Sequence, residues 1–198
     1  MNKEDRVRTE ILEAAQRMFQ RFGFRKTTIE DIATEAGKGK SSLYYYYRNK
    51  EDIFLAVLWD EWNTVMKEIR TSIDPESPVE EQLQTYIKVK VKGIAKFINI
   101  YHGLRSDSLL RYDFIRDFRL EIRDHEISVL QELLRRGSQT ERLRYQKEED
   151  LRLIAFTLAT ILQGIQETII RGNEKVPFEQ PEILEMVGTV ILHGICTE

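Results

Sequence analysis

The stretch Thr27-Thr28-Ile29-Glu30-Asp31-Ile32-Ala33-Thr34-Glu35-Ala36-Gly37-Lys38-Gly39-Lys40-Ser41-Ser42-Leu43-Tyr44-Tyr45-Tyr46-Tyr47 decides the fold. Ile29, Ile32, Ala33 and Ala36 recur at three- and four-residue steps, the spacing of one helical face. Either Thr27 or Thr28 supplies the N-cap, and Glu30 and Asp31 fall in the first turn, where carboxylates face the positive end of the helix dipole. Gly37 ends this short helix, and a second short helix follows through about Tyr46. Two short helices joined by a tight glycine turn make a helix-turn-helix.

Working outward, a helix from about Lys3 to Phe22 precedes this pair. Val7, Ile11, Ala14, Ala15, Met18 and Phe22 form its apolar stripe, and Gly23 stands where a left-handed cap favours glycine. Residues 1–49 therefore read as a three-helix head. On a wheel of about 100° per residue, Tyr47 falls about 40° from Leu43 and is expected in the core, whereas Tyr45 falls about 200° away and points outward. Tyr44 and Tyr46 flank these positions, equally suited to packing on the next helix or to facing outward. An exposed aromatic beside Lys38, Lys40, Ser41 and Ser42 suits a nucleic-acid groove: hydroxyls and ammoniums meet phosphates and base edges, and rings meet sugars and thymine methyls.

This run, continued by Asn49-Lys50-Glu51-Asp52, resembles the tetracycline-repressor (TetR) family over roughly Ile11 to Leu58. The resemblance implies a homodimeric repressor whose helical body binds a small effector. By position it implies that Thr27 or Thr28, Tyr44 and Lys50 touch phosphate, and that Lys40, Ser41, Ser42, Tyr45 and Tyr46 face the groove. The sequence departs from the common pattern at Lys38, Gly39 and Tyr47. Lys38 either adds a phosphate contact or solvates the turn.

Residues 50–198 read as a helical effector-binding and dimerisation domain, making the chain all-α. Helices are expected over about Lys50–Ser72, Val79–Tyr101, Phe114–Arg136 (closed by Gly137), Lys147–Arg171 and Pro181–Ile195, with a short irregular one near Leu104–Tyr112. The four prolines fall in the polar connectors between them. Reading an operator symmetrically requires two heads about 34 Å apart, hence a dimer interface in the body. The last two helices are the candidates, through Leu151, Ile154, Leu158, Leu162, Gly164 and Ile165, and through Ile183, Leu184, Val187, Val190 and Ile191. Leu153, Phe156, Ile161 and Ile169 make the first of these helices apolar nearly all round, so it must be covered on both sides. Trp59, Trp62, Tyr86, Phe97, Tyr101, Phe114, Phe118 and Phe156 supply aromatic surface for an effector cavity, with Gln163, Gln82 and Asn63 as polar candidates. At helical spacing the same aromatics also suit plain core. A mainly apolar or aromatic effector is expected.

The charge distribution fits this division. The chain of 198 residues has a net charge of −3, yet its first fifty residues hold eleven Lys/Arg against seven Asp/Glu, a net of +4 that leaves −7 for the remainder. Attraction for phosphate is thus confined to one end. With 41% hydrophobic and 32% charged residues the composition is that of a soluble globular protein. One cysteine, Cys196, excludes an internal disulfide and suits a reducing cytoplasm. The apolar runs are too short to span a membrane, and the charged N-terminus lacks a signal region. His102, His125 and His193 lack metal-ligand spacing, and no nucleophile motif or phosphate loop appears, so neither enzyme activity nor a metal or cofactor is expected. Two alternatives remain: an activator or protein-responsive helical regulator without a small ligand, and a helical enzyme or carrier unrelated to DNA.

Overall fold

The computed structural model describes residues 3–105, 112–139, 143–171 and 181–196, with side chains described for 3–93, 112–139, 143–167, 186, 188–190 and 192–196. Among these residues the chain forms eight helices: α1 (Lys3–Lys26), α2 (Ile29–Glu35), α3 (Lys40–Tyr46), α4 (Lys50–Ser72), α5 (Val79–Arg105), α6 (Asp113–Ser138), α7 (Glu148–Arg171) and α8 (Pro181–Ile195). The all-α expectation holds. The only β-type pairing among the described residues is an isolated bridge between Leu143 and Cys196.

By packing, the helices divide into two units, Met1–Thr64 with Lys96–Phe118, and Val65–Ala95 with Arg119–Glu198. The first unit is built on α1. Its stripe differs from the expected one: Ile11, Ala14, Ala15, Phe19 and Phe24 are buried, whereas Phe22 is 43% exposed. The reason lies at Gly23, whose backbone (φ 77, ψ 162) kinks α1 and lets the helix resume through Lys26. The kink carries Phe24 inward against Phe54 at 4.9 Å, while Phe19 meets the same ring edge-on at 5.0 Å. Phe114 joins this cluster, 5.8 Å from Phe24. Ile32 and Leu43 are fully buried, so each short helix contributes one large anchor to a core that neither could form alone.

In the second unit Val65, Ile69, Leu83, Leu130, Leu134, Leu151, Leu158 and Leu162 are buried. Gly137 does not close its helix, which runs one residue further, to Ser138. A Cβ on Gly137 would collide with the side chain of Val79. The glycine therefore serves a close helix approach rather than a cap. α7 separates into two faces. Leu151, Ala155, Leu158, Ala159, Leu162 and Ile165 lie in the unit's own core, while Leu153 (65% exposed), Phe156 (46%) and Ile161 (38%) stand on its surface.

A charged pair is buried in this unit. Lys90 and Glu126 are 2% and 3% exposed, with Nζ 3.1 Å from Oε1. The hydroxyl of Tyr86, itself fully buried, donates to the same carboxylate at 3.1 Å. Burial pushes the Tyr86 phenol well above its ordinary range, reinforced by the adjacent carboxylate. Burial also holds the Lys90 ammonium below its ordinary range, a shift that the Glu126 carboxylate opposes.

Candidate nucleic-acid interface

The helix-turn-helix is fixed at each end of α2 by a hydrogen-bonded cap. Thr28 is the N-cap: its hydroxyl accepts from the Asp31 backbone N–H at 3.2 Å, and the Asp31 carboxylate accepts from the Thr28 backbone N–H at 2.9 Å. This reciprocal capping box satisfies two donors that the first turn leaves open, and these Thr28 bonds hold the Asp31 carboxyl below its ordinary range. At the other end Gly37 takes φ 63, with its N–H donating to Thr34 O at 3.1 Å and the Lys38 N–H donating to Ala33 O at 2.9 Å. That is a Schellman cap, which requires a residue tolerant of positive φ. The cap sets the turn angle into α3.

α3 presents its polar side as the wheel requires. Leu43 is fully buried and Tyr47 is 9% exposed, whereas Tyr45 is 72% and Tyr44 is 48% exposed. Tyr47 stands just beyond the helix as its C-cap in an extended conformation, and burial raises its phenol. Lys40 and Ser41 are exposed, and Ser42 and Tyr46 are half-buried. Lys40, Ser41, Tyr44 and Tyr45 thus form a contiguous accessible face.

Three expected phosphate contacts have other duties. Thr27 is 1% exposed, its hydroxyl donating to Gly23 O at 2.8 Å, which ties it to the kink of α1. The Thr28 hydroxyl is occupied by the capping box and lies beside a carboxylate that repels phosphate. The Lys50 ammonium donates to Phe24 O and Thr27 O, each at 2.8 Å, and lies 4.4 Å from the centre of the Phe24 ring. Burial holds it below the ordinary lysine range. Lys50 therefore closes off carbonyls at the end of α1. Lys38 is paired with Glu10 at 2.7 Å, and Lys40 with Glu30.

Sequence reasoning missed Arg8, whose guanidinium lies 5.6 Å from the centre of the Tyr46 ring and adds a cation beside α3. It also missed Glu10 and Glu30 as partners of the two lysines. Arg8 is a basic residue of the head in the sequence too, but only the tertiary fold brings it beside Tyr46.

Residues 11–57 match the family model for bacterial regulatory proteins of the tetR family. These residues carry the helix-turn-helix head of the tetR family. It is 38% identical over 85 residues to the HTH-type transcriptional regulator RutR of Escherichia coli K12, a match covering 41% of this chain and 38% of that protein. It is 29% identical over 136 residues to the HTH-type transcriptional repressor KstR2 of Mycolicibacterium smegmatis, covering 66% of each. A transcriptional regulator from Cytophaga hutchinsonii has a similar fold, with TM-score 0.75 at 26% identity over 94% of this chain and 97% of that one. These relatives are regulators by name.

The expected effector residues are divided between the two units. Trp59 and Phe118 stack edge-on at 5.3 Å in the first unit, where Phe114 belongs to the head's aromatic core. Tyr86 is tied to Glu126, Phe156 is on the surface with the Arg123 guanidinium 5.9 Å from its ring centre, and Gln163 is half-buried in α7. Trp62 is half-buried and Asn63 exposed. The Gln82 amide donates to Pro75 O and Ser77 O, bracing the turn before α5. The side chains of Phe97 and Tyr101 lie outside the described residues.

The expected interface residues need correction. Leu151, Leu158, Leu162 and Ile165 are buried in the unit's own core, and Ile154 is half-buried. Gly164 and Val190 are exposed, the latter at 69%. The side chains of Ile183, Leu184, Val187 and Ile191 lie outside the described residues. Cys196 is buried, and its thiol is pushed up to about 11 by burial and by Glu80, which keeps it protonated at neutral pH. No helix among the described residues is long and apolar enough to cross a membrane.

Proposed function

We propose that this chain is a homodimeric, ligand-responsive repressor that reads a palindromic operator with α3 and releases it when a small, mainly apolar or aromatic effector binds the helical body. The observation that carries the reading is the outward face of α3, where Tyr45 is 72% exposed beside the exposed Lys40 and Ser41. A solvent-facing aromatic run costs solubility unless a partner covers it, and hydroxyls and ammoniums at this spacing match phosphate and base edges. Lys38, Arg8 and Tyr46 extend the face.

The dimer reading rests on α7. Leu153, Phe156, Thr157, Thr160, Ile161 and Gly164 share one exposed face at three- and four-residue spacing. A Cβ on Gly164 would meet no atom within 4 Å, so this face is open to another helix. Met186 and Val190, one turn apart on α8, are 65% and 69% exposed. A second copy presenting the same two helices would build a four-helix interface.

Effector release needs differential affinity for two states, and ten-fold weaker DNA binding corresponds to about 1.4 kcal/mol of coupling. α4 contributes to both units and is the element through which we expect the coupling to run. The test is selection of bound duplexes from a random-sequence pool, followed by a salt titration on the winner. Enrichment of a palindrome and affinity falling steeply with salt support the reading. Failure to enrich any sequence, or affinity flat between low and moderate salt, sinks it.

A further inference from the structure

The donors of the reading face are already engaged within the head. Glu10 Oε2 lies 2.7 Å from Lys38 Nζ, and Glu30 Oε1 contacts Lys40 Nζ. The Tyr45 hydroxyl approaches Glu4 Oε1 at 3.4 Å. Glu10 and Glu30 come from α1 and α2, outside α3, so the helix pair itself brings acids onto its own basic residues. Each carboxyl sits below its ordinary range, and the hydrogen bond from its lysine is the largest cause.

Carboxylate and phosphate oxygens offer an ammonium the same recognition chemistry. A lysine cannot serve both fully. Lys40 stands in the first turn of α3, whose N-cap Gly39 has no side chain to offer. A cation at the positive end of a helix is poorly placed without a nearby anion. Glu30 supplies that anion in the free head.

We propose that Glu10 and Glu30 are intramolecular competitors for DNA phosphate: each holds its lysine in the free head and must surrender it before that lysine engages a duplex. The proposal rests on the DNA-binding reading above. It assigns the two acids an affinity-lowering role that the charge count alone does not show. The Lys40–Glu30 pair is exposed and the Lys38–Glu10 pair half-buried at the surface, so release of each lysine is worth at most about five-fold in affinity.

The experiment measures anisotropy of a labelled mixed-sequence duplex with the full chain and four variants. These are Glu10→Gln with Glu30→Gln, Lys38→Ala with Lys40→Ala, the quadruple combination, and Glu13→Gln. Glu13 is an exposed carboxylate on α1 that pairs with neither lysine among the described residues. Glutamine keeps the shape of glutamate, and thermal unfolding checks that each variant is folded. The double glutamine variant is expected to bind about ten-fold tighter, against less than about two-fold for Glu13→Gln, which reports the general effect of removing one charge. In the lysine-free background the gain should vanish. A gain no larger per charge than that of Glu13→Gln, or one that persists without the lysines, overturns the proposal while leaving the DNA-binding reading intact. If the parent chain shows no salt-dependent binding, the DNA-binding reading fails and takes this proposal with it.

Discussion

The head and the body treat charge and apolar surface in opposite ways. In the head Leu43, Phe19 and Phe54 turn inward, and Lys38 and Lys40 pair with glutamates at the surface. In the second unit a lysine and a glutamate are buried together, while Leu153, Phe156 and Ile161 are left in solvent. Each exposed face fits a different partner. A polar, cation-rich face with tyrosines matches a phosphate-lined groove, whereas an apolar stripe on a long helix matches another protein surface.

The largest expected effect is on the buried pair. Lys90→Met strands the Glu126 carboxylate and should cost about 3–5 kcal/mol in urea unfolding, whereas Lys90→Met with Glu126→Leu should recover most of it. Equal losses in the single and double variants would show that the pair is not acting as a unit. On α7, inward and outward positions should behave oppositely. Leu158→Ala should lose about 2–5 kcal/mol of stability, while Phe156→Glu with Ile161→Glu should leave the fold intact and lower the mass measured by light scattering to that of one chain. If the outward variants keep the parent's oligomeric mass, α7 is not the interface.

A smaller effect is expected at the head. Tyr45→Ala should remove about 1–3 kcal/mol of discrimination between selected and scrambled duplexes without lowering the melting temperature. Lys50→Met should do the reverse, lowering head stability by about 1–3 kcal/mol, with little change in sequence preference. The smallest effect is at the cap, where Thr28→Ala should cost about 0.5–2 kcal/mol. Because the folded Asp31 carboxyl is held below its unfolded value, the capping box contributes fully above the ordinary aspartate range. Its contribution is lost as the pH falls through the lowered folded value. Asp31→Asn should flatten that part of the acid-unfolding profile.

Much of this was legible because it is local. Helical spacing, the glycine at residue 37 and the threonine cap depend on neighbours a few residues away, so α2, the turn and α3 fall close to where pattern and cap chemistry put them. The inward Leu43 and outward Tyr45 follow from one wheel. The side-chain partners did not follow. Phe22 and Phe19 both lie on plausible faces of α1, and the kink at Gly23, with Phe24 turned inward beyond it, settles which is buried. α7 is apolar on both sides, and periodicity cannot say which stripe meets its own unit. The stripe containing Leu158 does, which moved the interface candidates to Leu153, Phe156 and Ile161.

By itself, then, the sequence determined the helix-turn-helix, the all-α class and the confinement of positive charge to one end. These rest on interactions short in sequence or on charge counts that need no coordinates. Only the tertiary structure decided which basic residues are available to a duplex. Lys50 and Lys38 look alike in the chain, but contacts 23 and 26 residues away turn Lys50 to the carbonyls of Thr27 and Phe24. Lys38 meets Glu10 across the head. A flexible lysine goes to the nearest acceptor, and which acceptor is nearest is set by packing.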